Sequence, residues 1–98
     1  MGRELVSGTT INIHYCSRCR WLLRSAWVGQ ELLVTFEDEI KQLSLLPNTD
    51  GQFSIWVDEH CVWEKKRDQG FPDLPLLKQR VRDIFNPKKS LGHSDKSF

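Results

Sequence analysis

The sequence predicts an α/β fold, a two-layer sandwich in which two helices cover one face of a mixed four-stranded sheet. Three observations support this prediction. Apolar and polar residues alternate in separate segments, as expected of strands with one buried face. Two other segments carry apolar residues at helical spacing. The order is β-α-β-β-β-α, in which a strand–helix–strand unit makes its two strands parallel and a hairpin adds antiparallel strands.

The first strand and the first helix are predicted within residues 10–36. Thr10–Tyr15 alternates polar and apolar residues, which is typical of a strand. A helix is expected from about Arg18 to Phe36, because apolar residues recur there at spacings of three, four and seven and no proline interrupts them. Its core-facing stripe is predicted to consist of Leu22, Ala26, Leu33, Phe36 and Ile40, widened by Leu23 and Trp27.

The three remaining strands are predicted to be short. Gln42–Leu46 is the second strand and is expected to end at Pro47. Phe53–Asp58 and Cys61–Lys66 are predicted to form a hairpin across a tight turn at Glu59-His60. The sheet therefore combines a parallel pair with an antiparallel hairpin.

A second helix is predicted to complete the domain. Asp73 is a suitable N-cap, because its carboxylate can accept a free backbone N–H, and Pro87 ends the helix. The chain is thus divided into an N-terminal extension (1–9), one domain (10–86) and a loosely held polar tail (87–98). The apolar face of the second helix is predicted to contain Leu74, Leu77, Val81 and Phe85.

Composition limits the class of partner and the compartment. The 98 residues suffice for one domain, and 14 basic against 13 acidic residues leave a net charge of +1. This balance argues against nucleic acid or an anionic membrane surface as the main partner. No segment has the apolar length of a membrane span or of a secretory signal. We therefore expect a soluble cytoplasmic protein.

A Cys-x-x-Cys pair, Cys16 and Cys19, is the chemical lead in the sequence. Cys16 follows the first predicted strand and Cys19 falls in the first predicted helical turn, where unpaired N–H groups and the helix dipole stabilise a thiolate. Arg18 and Arg20 are expected to favour the thiolate further. These features predict a thiol–disulfide oxidoreductase with Cys16 as the nucleophile and Cys19 as the resolving thiol.

Four aromatic residues are candidate contact residues. Trp21 and Phe71 are expected to flank the cysteines as an apolar rim on which a thiol or peptide docks. A hairpin turn at Glu59-His60 would place Trp56 opposite Trp63 on the open face of the sheet. Exposed aromatic pairs often mark contact surfaces, so a homodimer through this open face is expected.

The residues leave two other functions open. One is a redox-regulated protein-interaction module, in which the cysteines sense oxidation and the Trp56/Trp63 face binds a partner without turnover. The other is a zinc-binding protein, in which Cys61, His14 and His60 would supplement the cysteine pair. Two thiols without a chemical role are the plainest alternative. Because a second Cys-x-x-Cys motif is missing, we assign no metal site.

Several motifs occur in an order that is typical of one protein family. They are Cys16-x-x-Cys19-Arg20-Trp21-x-Leu23-Arg24, Gly51-x-Phe53, Gly70-Phe71-Pro72 and Leu77–Asp83, with Leu91–Asp95 in the tail. On these motifs the chain resembles the selenoprotein W-related (Rdx) family, in its cysteine-containing bacterial form. The resemblance extends from about Ile11 to Asp95.

This resemblance implies a thioredoxin-like fold with a redox site after the first strand. It implies thiol-based activity in cell redox homeostasis, often linked to glutathione as a thiol co-substrate, with protein thiols as the other partners and no further cofactor. Cys16 matches the conventional reactive cysteine of the family. Cys19 stands where animal members carry selenocysteine.

Overall fold

The computed structural model describes residues 8–92, which form two helices and one four-stranded sheet. The elements are β1 (Thr9–Cys16), α1 (Leu22–Thr35), β2 (Ile40–Asn48), β3 (Ser54–Val57), β4 (His60–Glu64) and α2 (Leu74–Phe85). The predicted element order and the mixed sheet are confirmed. In this part of the chain, neither helix has the length and apolar character needed to cross a membrane.

The strand order β2-β1-β3-β4 makes β1 an inner strand of the sheet, between β2 and β3. β1 pairs in parallel with β2 and antiparallel with β3, and β3 pairs antiparallel with β4. The ends of β1, β2 and β4 and the start of β3 therefore lie together along one side of the sheet, which runs across the strands. We call it the cysteine edge, defined by Cys16, Asn48, Ser54 and Glu64.

β2 is longer than the predicted Gln42–Leu46 and runs through Pro47. The prediction that Pro47 ends the strand was wrong because β2 lies at the margin of the sheet, where a residue without an N–H is tolerated. The strand ends at Asn48, whose side chain accepts the N–H of Asp50 at 3.0 Å and donates to the carbonyl of Gln52 at 3.3 Å. These bonds form the turn that leads to β3.

The face of α1 that packs on the sheet differs from the predicted stripe. Of that stripe only Phe36 is buried, whereas Leu23 is 82% exposed and Trp27 is 52% exposed. Leu22 and Leu33 are also exposed. The residues that α1 buries are Ser25, Val28, Gly29 and Leu32.

Small residues on this face allow α1 to lie close to the sheet. A Cβ added at Gly29 would be 3.0 Å from the Cδ2 atom of Leu43 on β2. The hydroxyl of the buried Ser25 donates to the carbonyl of Trp21 at 2.8 Å, so no polar group is left unsatisfied there. Close approach thus decided the buried face, because larger side chains would have held the helix away from the sheet.

The hairpin turns at Asp58-Glu59, one residue earlier than predicted. Asp58 adopts a φ of 51°, a left-handed conformation that aspartate tolerates better than most residues. Trp56 consequently lies opposite Cys61, and a bulge brings Trp63 opposite Ile55. Trp63 is 4% exposed and belongs to the core. The predicted Trp56–Trp63 pair on the open face was therefore wrong.

Asp68, which follows β4, connects that strand to α2. Its carboxylate accepts the N–H of Glu64 at 2.9 Å and pairs with the guanidinium groups of Arg67 at 2.9 Å and Arg80 at 3.2 Å. Arg80 also donates to the carbonyl of Val62 on β4 at 2.9 Å. Burial acts to raise the pKa of Asp68, but the hydrogen bonds from Glu64, Arg67 and Arg80 outweigh it and hold that pKa below its usual 3.8.

This lowered pKa predicts that Asp68 stabilises the fold above its usual pKa and stops doing so as the pH falls through its folded value. The Asp68→Asn variant should therefore lose less stability than the natural protein between about pH 5 and pH 2. Urea unfolding at a series of pH values measures this difference. Asp38→Asn, at an exposed position, is the control and should follow the natural protein. Equal acid sensitivity of the Asp68→Asn variant and the natural protein would contradict the assignment.

α2 begins and ends where the sequence predicts. The carboxylate of Asp73 accepts the N–H of Leu76 at 3.3 Å and so caps the helix. The helix ends at Phe85, two residues before Pro87.

The segment after α2 is held more firmly than predicted. Lys89 forms an ion pair with Glu39 at 2.8 Å, and Leu91 packs against the core. Contacts with the domain thus continue past residue 86. Residues 1–7 of the predicted N-terminal extension and residues 93–98 of the predicted polar tail lie outside the described residues.

Candidate redox site

The two cysteines lie at the cysteine edge, in the segment that joins β1 to α1. Cys16 is the last residue of β1, and Cys19 lies in a turn closed by the bond from the Arg20 N–H to the Ser17 carbonyl at 3.1 Å. Arg20 has a φ of 63°, and α1 begins only at Leu22. Cys19 therefore precedes the helix. Its predicted place in the first helical turn was wrong because residues 17–20 form a separate turn before α1 begins.

The sulfur atoms of Cys16 and Cys19 form a disulfide across a Cα–Cα distance of 5.3 Å. The two residues differ in exposure, since Cys16 is 1% exposed and Cys19 is only half-buried. The backbone N–H of Cys19 donates to the Sγ atom of Cys16 at 3.2 Å. Because a donor stabilises a charged sulfur, this N–H favours a Cys16 thiolate whenever the disulfide opens.

Arg18 and Arg20, the predicted charge-tuning residues, are both exposed. Neither guanidinium makes an ion pair or hydrogen bond within residues 8–92. Their charge acts on the sulfur atoms through solvent and is therefore screened by salt. Their influence on the thiolate stays a prediction.

Trp21, two residues after Cys19 in the sequence, contacts Phe71. The backbone N–H of Trp21 donates to the Cys16 carbonyl at 3.4 Å. The Trp21 ring packs edge-on against Phe71, with ring centroids 5.0 Å apart. Phe71 in turn packs on the buried Phe53 at 5.1 Å, which fixes both rings to the core. The two predicted rings are thus in contact with each other; that they flank the cysteines and serve in docking stays a prediction.

Two cations that the sequence did not single out as site residues lie against these aromatic rings. The guanidinium of Arg24 lies 4.2 Å from the centre of the Phe71 ring, and the ammonium of Lys65 lies 5.3 Å from that of Trp21. Arg24 lies in α1, and Lys65 directly follows β4. Arg24 and Lys65 are too far apart in the sequence for a local pattern to predict that they lie close together. The sequence did place both near the cysteine edge, because α1 begins there and β4 ends there, and this could have been used to find them.

The remaining candidate residues do not join the site. Cys61 lies near the hairpin turn, at the other end of β4, and its thiol contacts the Trp63 carbonyl at 3.4 Å. His14 lies on the open face of β1 beside Ser54. Throughout residues 8–92, no three His, Cys, Asp or Glu side chains are grouped so that they could hold a metal ion.

The chain is similar in sequence and in structure to known proteins of one family. The model of the Rdx family matches residues 10–83. No curated protein shows significant similarity to the chain. Among solved structures, the selenoprotein W-related protein from Vibrio cholerae is 48% identical, with a TM-score of 0.79 over 82% of this chain and 100% of that one.

A protein from Bordetella parapertussis is 45% identical, with a TM-score of 0.77 over 80% of this chain and 99% of that one. The family model covers well over half of the chain, and both relatives are matched over almost their entire length. The chain therefore belongs to the Rdx family of selenoprotein W-related proteins, which have a thioredoxin-like fold and redox-related cysteines.

Proposed function

We propose that this protein performs thiol–disulfide exchange through Cys16 and Cys19, and that Cys19 carries the sulfur that exchanges with the partner. The observation that supports this proposal is the unequal exposure of the bonded pair, since Cys16 is 1% exposed and Cys19 is half-buried. An incoming thiolate must approach a sulfur atom directly, so the more exposed sulfur reacts first.

Opening of the disulfide follows from this geometry. A partner thiolate attacks the Sγ atom of Cys19, a bond forms between the two, and the bond to Cys16 breaks. Cys16 departs as a thiolate that the Cys19 N–H stabilises from 3.2 Å. In the reverse step the Cys16 thiolate attacks Cys19 and releases the partner thiolate, which takes up a proton from solvent.

The reduced protein acts in the other direction. The Cys19 thiolate attacks a partner disulfide, one partner sulfur leaves as a thiol, and Cys16 then displaces the other. Two electrons pass from the Cys16–Cys19 dithiol to the partner disulfide. A reducing cytoplasm, with glutathione or a protein dithiol as donor, is the setting that would restore the dithiol.

These roles reverse the sequence prediction, in which Cys16 attacks and Cys19 resolves. That prediction rested on Cys19 lying inside a helical turn, with both sulfurs at the open end of the helix. Because Cys16 is still a residue of β1, the core covers it, and Cys19 is the more exposed residue of the pair.

An uncharged small disulfide tests the exchange chemistry directly. The protein, reduced and desalted, should convert hydroxyethyl disulfide to mercaptoethanol while the mass of the protein falls by two hydrogen atoms. Peptide mapping should then find Cys16 joined to Cys19. A Cys61→Ser variant is the control and should behave like the natural protein, because Cys61 lies far along β4. Thiols that stay reduced would instead favour an interaction module without turnover.

A further inference from the structure

We propose that the site acts on disulfides of proteins whose reacting cysteine lies in an acidic segment. This inference rests on the proposed exchange function and names its substrate class. Its basis is a group of cations at the cysteine edge, which we call the basic rim. Its members are Arg18, Arg20, Arg24, Lys65 and Lys66.

The basic rim differs from the rest of the protein in lacking carboxylate partners. Within residues 8–92, none of its side chains forms an ion pair, whereas all other lysines and arginines there do so except Lys41 and Lys88. Lys78 pairs with Glu31 at 3.0 Å, for example. Of the seven lysines and arginines without an ion pair in this range, five thus belong to segments at the cysteine edge.

Acidic side chains at the same edge leave an excess of positive charge. They are Asp50, Glu64 and Asp73, besides Asp68, which is already paired with Arg67 and Arg80. Glu64 and Asp73 also accept backbone N–H groups. Glu64 accepts those of Lys66 and Arg67, at 3.2 Å and 2.7 Å, and Asp73 caps α2. An excess at one edge stands out in a chain whose net charge is only +1.

Aromatic contacts hold two of these cations in place without neutralising them. Arg24 lies 4.2 Å from the centre of the Phe71 ring, and Lys65 lies 5.5 Å from the same centre. Phe71 is itself packed on the ring of Trp21, whose backbone N–H donates to the Cys16 carbonyl. Carboxylates beside a partner cysteine would therefore meet fixed positive charges when its sulfur reaches Cys19.

An apolar stripe on α1 indicates that the partner is a protein rather than a small thiol. Leu23, Trp27 and Val34 share one helix face and are 82%, 52% and 75% exposed. Leu23 lies about two and a half turns from the buried Leu32, so this stripe points away from the core. The stripe begins in the first turn of α1, just after the disulfide in the sequence. Only a large partner could cover both the stripe and the disulfide.

Matched peptides test the charge preference in a single turnover. Three disulfide-linked peptide dimers of equal length would carry Glu, Gln or Lys on both sides of the cysteine. Each reduced protein molecule transfers two electrons, converting one peptide dimer to two thiols while Cys16 and Cys19 become a disulfide. The acidic dimer should react about 10-fold faster than the neutral one at low salt, and this advantage should shrink in about 0.5 M NaCl.

Charge-reversal variants locate the preference. Arg24→Glu combined with Lys65→Glu should abolish or invert the ratio between the acidic and neutral dimers, and Arg24→Lys combined with Lys65→Arg should retain it. Lys41→Glu is the matched control, because Lys41 lies near the start of β2 and Cys16 pairs with Asn48 at its end. Circular dichroism checks that each variant is folded.

Two outcomes would overturn the inference while leaving the proposed exchange intact. One is equal rates for the three dimers with a natural protein that still reduces hydroxyethyl disulfide. The other is glutathione disulfide reacting as fast as the acidic dimer, which would favour a small acidic thiol. Failure to reduce even hydroxyethyl disulfide would refute the exchange function itself.

Discussion

The Cys19→Ser variant is expected to lose mixed-disulfide formation, and the Cys16→Ser variant is expected to accumulate it. Cys19 is the more exposed residue of the pair, so its loss should lower the rate of exchange with a thiol-reactive disulfide by roughly 10²-fold or more. Without Cys16, the bond between Cys19 and the partner has no internal thiol to break it. Intact-protein mass spectrometry after exposure to hydroxyethyl disulfide measures the adduct.

A Cys61→Ser background removes the third thiol from this experiment. Since Cys16 is buried, Cys16→Ala serves as a second variant that keeps a small apolar side chain in the core. The opposite pattern, with a stable adduct on Cys16 in the Cys19→Ser variant and none on Cys19, would restore the roles predicted from the sequence and contradict those proposed from the exposure of the two sulfurs.

Leu32→Ala is expected to destabilise the fold by about 2–5 kcal/mol. Leu32 is fully buried between α1 and the sheet, so truncation removes apolar contacts and leaves a cavity. Urea unfolding of the oxidised protein, followed by circular dichroism, measures the change in the free energy of unfolding.

Leu23→Ala is the matched control in the same helix. Leu23 is 82% exposed, so its truncation should change the free energy of unfolding by less than about 0.5 kcal/mol. The apolar spacing of the sequence predicts Leu23, and not Leu32, beside the core stripe. A larger loss of stability for Leu23→Ala than for Leu32→Ala would therefore support the predicted helix face over the observed one.

Strands and caps were predictable because their signals are local. Every second residue of β1 from Ile11 to Tyr15 is apolar, and Ile11 and Ile13 are indeed fully buried. Asp73 marks the start of α2 through a bond to a residue only three positions away. Such patterns depend on neighbours in the sequence, which the sequence itself supplies.

The buried face of α1 was not predictable in this way. The helix is apolar on nearly all sides, so periodicity alone did not identify the face that meets the sheet. Ser25 and Gly29 took that position because the helix lies close to β2, and Leu23, Trp27 and Val34 were left facing solvent. The hairpin shows the same limit, since one residue of difference in the turn moved Trp63 into the core.

By itself, the sequence determined the element order, the cysteine pair and its place after the central strand, because these follow from spacing along the chain. Only the tertiary structure decided which cysteine residue is the more exposed, which side of α1 is free, and which cations gather around Phe71. Each of those outcomes depends on atoms brought together from distant segments, such as Arg24 and Lys65 over one ring, and their distances are set by packing rather than by sequence order.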